Sequence, residues 1–170
     1  MRIISAIILA AVFALPALAQ KKELKPGNVA PAFAAASIDG TYYDLAAMRG
    51  KVVVLTFWST KCEICRNEIP KLNGFLAKYD PQKVTFLAPS LDNEQKLTPY
   101  LRSHPFNFHV LPDSFGLLLQ YADRDGEGNL DMGFPSYFLI DKTGKLAYRS
   151  NGWDRTDELA SRISQLIAAN

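Results

Sequence analysis

The chain has 170 residues, 48% of them apolar, 11% aromatic and 21% charged, with a formal net charge of +2. Such a composition fits one ordinary globular domain and argues against intrinsic disorder, collagen and coiled coil. Nineteen basic residues against seventeen acidic ones leave no electrostatic footprint for nucleic acid, and two cysteines are too few for a disulfide-built scaffold.

A single basic residue, Arg2, precedes an apolar run from Ile3 to Leu15, and Pro16 leads into Ala17-Leu18-Ala19. A basic start, an apolar middle and a small-x-small end describe a secretory signal peptide over residues 1–19, cut after Ala19. Pro16 interrupts the run before it reaches the roughly 20 apolar residues of a membrane span. No cysteine follows the cut, so a lipid anchor is not available there, and an uncleaved leader would tether the chain to a membrane. Residues 20–28 are polar and carry Pro26 and Gly27, which reads as a flexible lead-in to a domain over 29–170.

Within that domain, Asp39-Gly40 marks a turn before a short strand at Thr41–Tyr43. The β-branched and aromatic run Lys51–Trp58 predicts a strand buried on both faces. Ile69, Leu72, Leu76 and Tyr79 then recur at helical spacing over Cys62–Asp80, a helix that Pro70 interrupts. A strand at Lys83–Ala88, a helix at Asn93–Ser103, a strand at Phe108–Leu111 and a helix at Ser114–Tyr121 follow, with a polar loop at 122–132. Tyr137–Asp141 and Lys145–Arg149 flank a Gly-containing turn and predict a hairpin. Asp154 or Thr156 is placed to cap a last helix with Leu159, Ile163 and Leu166 on one face. The order β-α-β-α-β-α-β-β-α predicts an α/β domain with a mixed central β-sheet flanked by helices.

Cys62-Glu63-Ile64-Cys65 carries the chemistry. The pair sits where the strand ending at Trp58 gives way to a helix, and residues three apart in a first helical turn share a face, so the sulfurs can bond. Unpaired N–H groups and the helix dipole favour a thiolate at the helix start. Cys62 is therefore the expected attacking sulfur, and Cys65, one turn in, the resolving thiol. A structural disulfide over so small a loop would constrain the unfolded chain little. A zinc site would need His104 and His109 to converge with the cysteines across an intervening strand and helix.

With these residues in view, the sequence resembles the thioredoxin-fold thiol–disulfide oxidoreductases of the TlpA/ResA type. The resemblance rests on Gly27, Ala30-Pro31-x-Phe33, Asp39-Gly40, Gly50-Lys51 through Trp58, Cys62 to Pro70, Gly133-Phe134-Pro135-Ser136, Gly144-Lys145 and Gly152. It implies a thioredoxin-like fold with an N-terminal extension and an inserted βα unit. It also implies a cis Phe134–Pro135 bond beside the disulfide, where a substrate segment can pair like an added strand. Trp58, Phe134 and Pro135 are by this resemblance the substrate side of the site, with Trp58 shielding the disulfide; the alternative for Trp58 is simple packing. Glu68 falls where the family carries an acidic residue that assists proton transfer at the resolving thiol. Its alternative is a solvated surface glutamate. The family reading needs no cofactor beyond the Cys62–Cys65 couple and no metal. It implies a membrane-bound thiol donor of the DsbD/CcdA type and protein disulfides such as those of apocytochrome c as substrates; the leader places the domain outside the cytoplasm, in a periplasm, and a monomer is expected.

Ile64 stands where the family usually has proline and Lys61 where it usually has tryptophan, and Thr56 replaces the buried aspartate of thioredoxin. Lys61 favours the Cys62 thiolate and Glu63 opposes it. An oxidase running the same pair in reverse is the nearest rival. A peroxidase is another, since Ala30-Pro31-x-Phe33 also resembles peroxiredoxins, although their Pro-x-x-x-Thr/Ser-x-x-Cys motif meets Leu55 here. A metal carrier using both cysteines as ligands is a third. Asp123-Arg124-Asp125-Gly126-Glu127 has the spacing of a calcium loop, but its twelfth position is Phe134 instead of glutamate.

Overall fold

The computed structural model describes residues 23–169; the expected signal peptide and the first residues of the lead-in lie outside the described residues. The elements are β1 (Ala34–Ala36), β2 (Tyr42–Asp44), a 3-10 turn at Leu45–Met48, β3 (Val52–Phe57), α1 (Glu63–Leu76), β4 (Val84–Pro89), α2 (Glu94–Ser103), β5 (His109–Leu111), α3 (Phe115–Tyr121), β6 (Asp123–Arg124), β7 (Leu130–Asp131), β8 (Ser136–Ile140), β9 (Leu146–Asn151) and α4 (Thr156–Ala168). Five strands form the central sheet in the order β5-β4-β3-β8-β9. β3 runs parallel to β4, and β4 to β5, while β3–β8 and β8–β9 are antiparallel. The mixed sheet expected from the element order is therefore present.

β3 explains the layering. All six of its residues are buried, and successive side chains leave opposite faces of the sheet. Val52 and Val54, with Trp58 just beyond, join Ile69, Leu72 and Phe75 of α1 and Leu159 and Ile163 of α4 in one core. Val53, Leu55 and Phe57 join Phe138, Leu117, Leu118 and Tyr121 in the other. Leu55 is paired on both sides, with Leu87 and with Phe138. A proline there would break a central ladder, so the peroxidase motif does not fit this strand.

Several expectations need correction. The first helix ends at Leu76, short of Asp80; Pro81 disfavours helical backbone at Asp80, which instead accepts Gln82 N–H in a side-chain turn. Residues 34–36 pair with 42–44, a hairpin that three alanines did not announce. The lead-in is tied down before residue 29, because Gly27 N–H donates to Leu146 O and Leu146 N–H to Asn28 O. The loop at 122–132 contains the small ladder β6–β7. Asp125 there accepts from the backbone of Glu127 and Asn129 and from the Asn129 side chain, while Asp123 pairs with Arg149. Two acids of the would-be calcium loop are thus engaged by the chain itself. Neither Asp154 nor Thr156 caps α4: Arg155 holds that position and makes no side-chain cap bond. The turn between β8 and β9 needs Gly144, whose φ is +80° and whose absent Cβ would meet the Arg49 guanidinium at 2.0 Å.

The turn at Asp39-Gly40 gives a prediction. Ser37 Oγ donates to Asp39 Oδ1 at 2.6 Å and Thr41 N–H at 2.9 Å. These bonds, that of Ser37 foremost, hold the carboxyl well below the usual carboxylate range. A depressed carboxyl adds stability that is present above its unfolded value of about 3.9 and is lost as pH falls toward the folded value. The side chain is 54% exposed, which keeps the contribution small. Asp39→Asn is expected to lower the urea midpoint slightly at pH near neutrality and progressively less below about pH 3. Equal losses at both pH values would contradict this.

Candidate active site

β3 delivers the chain to the disulfide. After Trp58 a turn closes with Cys62 N–H donating to Ser59 O at 3.1 Å, and Cys62 becomes the N-cap of α1. Its Sγ accepts Cys65 N–H at 3.0 Å, the bond that a capping oxygen usually makes. Cys62 and Cys65 form a disulfide with Cα atoms 5.2 Å apart. Cys62 is half-buried, whereas Cys65 is 2% exposed and belongs to the core. Upon reduction, the N-terminal N–H groups of α1 are placed to hold a thiolate at Cys62. Attack from outside can reach Cys62 far more readily than Cys65.

The β3–β8 register brings the second half of the site to the same end of the sheet. Phe57 pairs with Ser136, so Pro135 lies beside the stretch that leads into Cys62. The Phe134–Pro135 bond is cis. Phe134 packs half-buried against both cores, and Pro135 is buried with its carbonyl accepting Gly152 N–H at 2.9 Å.

Trp58 departs from its expected place on the substrate side. It is 1% exposed, its indole N–H donates to Ala88 O at 3.2 Å, and its ring meets Phe106 edge-on at 5.4 Å. Its apolar bulk and its bond to the next strand draw it inward, so it supports Cys65 from within the core and offers no surface to a substrate.

Glu68 is not a solvated glutamate, for it is fully buried on α1 one turn beyond Cys65. Oε2 accepts Asp154 N–H at 3.2 Å, and Oε1 faces Lys71 Nζ at 3.2 Å. Tyr137 on β8, also fully buried, has its phenol pushed up by burial and then by the Glu68 charge. His104 stacks on Tyr100, and His109 lies beside Asp39 and Tyr43, so neither histidine joins the sulfurs. Among the described residues no group of three or more His, Cys, Asp or Glu side chains could hold a metal ion.

Asp92 escaped the sequence reading. It follows β4, and its Oδ2 accepts Thr60 N–H at 2.6 Å, which pins the turn before Cys62. Burial raises its carboxyl, but bonds from Lys96 and Thr60 outweigh that and keep it below the usual range. A hint was available, since side chains just past the carboxyl ends of parallel strands commonly serve the site in α/β folds. Asp92→Ala is expected to cost about 1–3 kcal/mol in urea unfolding and to slow alkylation of reduced Cys62. Asp92→Asn, which retains an acceptor oxygen, should recover most of the alkylation rate.

A buried sulfur and a half-exposed one at a helix start, beside a cis proline on a mixed sheet, define a thioredoxin-fold dithiol/disulfide protein. The chain belongs to the AhpC/TSA family, whose model matches residues 26–149, and within it is of the TlpA/ResA type. It is similar to the thiol–disulfide oxidoreductase ResA of Geobacillus thermodenitrificans, 31% identical over 155 residues covering 86% of this chain and 81% of that protein. ResA of Bacillus cereus is 27% identical over 150 residues, covering 87% and 82% respectively. Among solved structures, the exposed lipoprotein thioredoxin of Streptococcus pneumoniae superposes with a TM-score of 0.66 at 25% identity, covering 80% of this chain and all of that one. The protein is a thiol–disulfide oxidoreductase.

Proposed function

We propose that the protein is an exported protein-disulfide reductase. The asymmetry of the sulfurs carries the reading: Cys62 is reachable at the helix N-terminus and Cys65 lies in the core. In the reduced protein the Cys62 thiolate attacks one sulfur of a substrate disulfide, whose S–S bond breaks as the Cys62–substrate mixed disulfide forms. The displaced substrate sulfur leaves as a thiolate and takes a proton from water. Cys65 then gives its proton to the Glu68 carboxylate and attacks Cys62 Sγ. The mixed disulfide breaks, the second substrate sulfur leaves as a thiolate, Glu68 returns its proton to that thiolate or to water, and the Cys62–Cys65 bond holds the two-electron oxidation passed from the substrate. The backbone ahead of the cis bond, at half-buried Phe134 beside Pro135, receives the substrate segment as an added strand.

The redox couple is the only prosthetic chemistry this cycle requires. Re-reduction then falls to another dithiol, for which a membrane-bound donor of the DsbD/CcdA type is the natural class. Disulfides of apocytochrome c are one fitting substrate. The leader-like residues 1–19 support action outside the cytoplasm, in a periplasm or on the outer face of a membrane.

The direction of electron flow is tested by equilibrating the protein with dithiol/disulfide buffers and measuring the potential of the Cys62–Cys65 couple. A value near or below thioredoxin's, about −270 mV, is expected of a reductase. A value near that of strong oxidants, about −120 mV, would make the protein a disulfide donor.

A further inference from the structure

Glu68 is gripped from two sides, by Lys71 one turn along α1 and by the backbone of Asp154 from the loop ahead of α4. Lys71, which faces Oε1, also donates to Asp154 Oδ1 at 3.1 Å, and its ammonium lies 4.6 Å from the centre of the Trp153 ring. Asp154, whose N–H binds Oε2, has a left-handed backbone with φ of +59°. Aspartate tolerates this region better than most residues, and here the turn aims the Asp154 N–H at Glu68 Oε2. Trp153 itself is 50% exposed, so its ring is not there to fill the core. Ion pair, stacked ring and left-handed turn all converge on one cation and one buried carboxylate.

A purely structural ion pair is the competing explanation. Buried pairs, however, contribute little net stability over apolar residues of similar size, because desolvation offsets their attraction. This one is also only half closed, with Lys71 reaching water (42% of its side chain exposed) and Glu68 not. The titratable groups around Glu68 are Lys71 and Cys65 on its own helix, Asp154 and Arg155 from the loop ahead of α4, and Tyr137 from β8. Of these, Lys71 is the cation in direct contact with its carboxylate.

We propose that Lys71, held by Asp154 and Trp153, is the positioning residue that keeps Glu68 charged and in place to take the proton of Cys65. The inference rests on the role given to Glu68 above. Without Lys71, the buried carboxylate would lose the cation that faces Oε1 and keep only the Asp154 N–H on Oε2, leaving a buried charge without its partner.

The test follows the reduced protein reacting with dithiobis(nitrobenzoate), which releases one coloured thiolate when Cys62 attacks and a second when Cys65 resolves. Lys71→Met is expected to slow the second phase about tenfold at neutral pH and to move its pH profile up by about one unit. The first phase should be unchanged, and Lys71→Arg should restore the second. Trp153→Ala, which leaves the ion pair intact, should slow the second phase by about two- to fivefold and serves if Lys71→Met does not fold. Glu68→Gln/Lys71→Met carries no buried unpaired charge and should be no slower than Glu68→Gln alone. A Lys71→Met profile superposing on the native one while Glu68→Gln slows the second phase would overturn this inference and leave the Glu68 role standing. If Glu68→Gln also leaves the second phase unchanged, both fall together.

Discussion

Replacing Cys65 with serine is expected to convert the protein into a trap, whereas replacing Cys62 is expected to silence it. Cys62 is the half-exposed sulfur at the start of α1 and Cys65 the core sulfur behind it. With Cys65→Ser, Cys62 can still attack a substrate disulfide, but no thiol remains to break the mixed disulfide. A covalent complex should therefore accumulate, visible as a mass shift equal to one substrate and reversed by dithiothreitol. With Cys62→Ser, Cys65 is too buried to replace the lost nucleophile. Turnover should fall by on the order of a thousandfold or more, and no adduct should form. Trapping by Cys62→Ser in place of Cys65→Ser would reverse the assignment of the two sulfurs.

The second large effect concerns Trp58. Its side chain is nearly completely buried between β4, Tyr100 and Phe106, and it donates to Ala88 O. Trp58→Ala should cost about 3–5 kcal/mol in urea unfolding, from lost burial and the cavity left behind. In a chain of this length that corresponds to a fall in Tm of roughly 6–20 °C. Disulfide exchange at temperatures where the variant is still folded should change much less than stability does. A large loss of exchange with an unchanged Tm would show that Trp58 acts on the substrate side after all.

Much of the frame was legible locally. The run Val52–Phe57 reads as a doubly buried strand because β-branched and aromatic residues follow one another without polar alternation, and it is one. Ile69 and Leu72 mark the buried face of α1 by their spacing, and both lie in its core. The hairpin at 136–151 and the helix at Asn93–Ser103 were also expected; the structure adds that Asn93 caps that helix by accepting Lys96 N–H and that Pro99 lies within it. β1 was missed because Ala34-Ala35-Ala36 has neither period nor β-branching, and it is a strand only because Tyr42–Asp44 lies alongside. The last turn of the expected first helix failed for a local reason that was overlooked, the proline at 81.

By itself the amino-acid order determined the α/β class, the pairing of Cys62 with Cys65 and their place at a helix start, because periodicity, i to i+3 spacing and strand-to-helix boundaries are written over a few neighbouring residues. Only the tertiary structure decided that Glu68 is buried, that Trp58 turns inward, that Asp92 meets the turn before Cys62, and that Lys71 and Asp154 meet Glu68. Thr60 and Asp92 meet across 32 positions, and Lys71 and Asp154 across 83. Such meetings depend on which strands pair and in what register. No local pattern encodes that, because it is settled by the burial of both faces of one sheet at once.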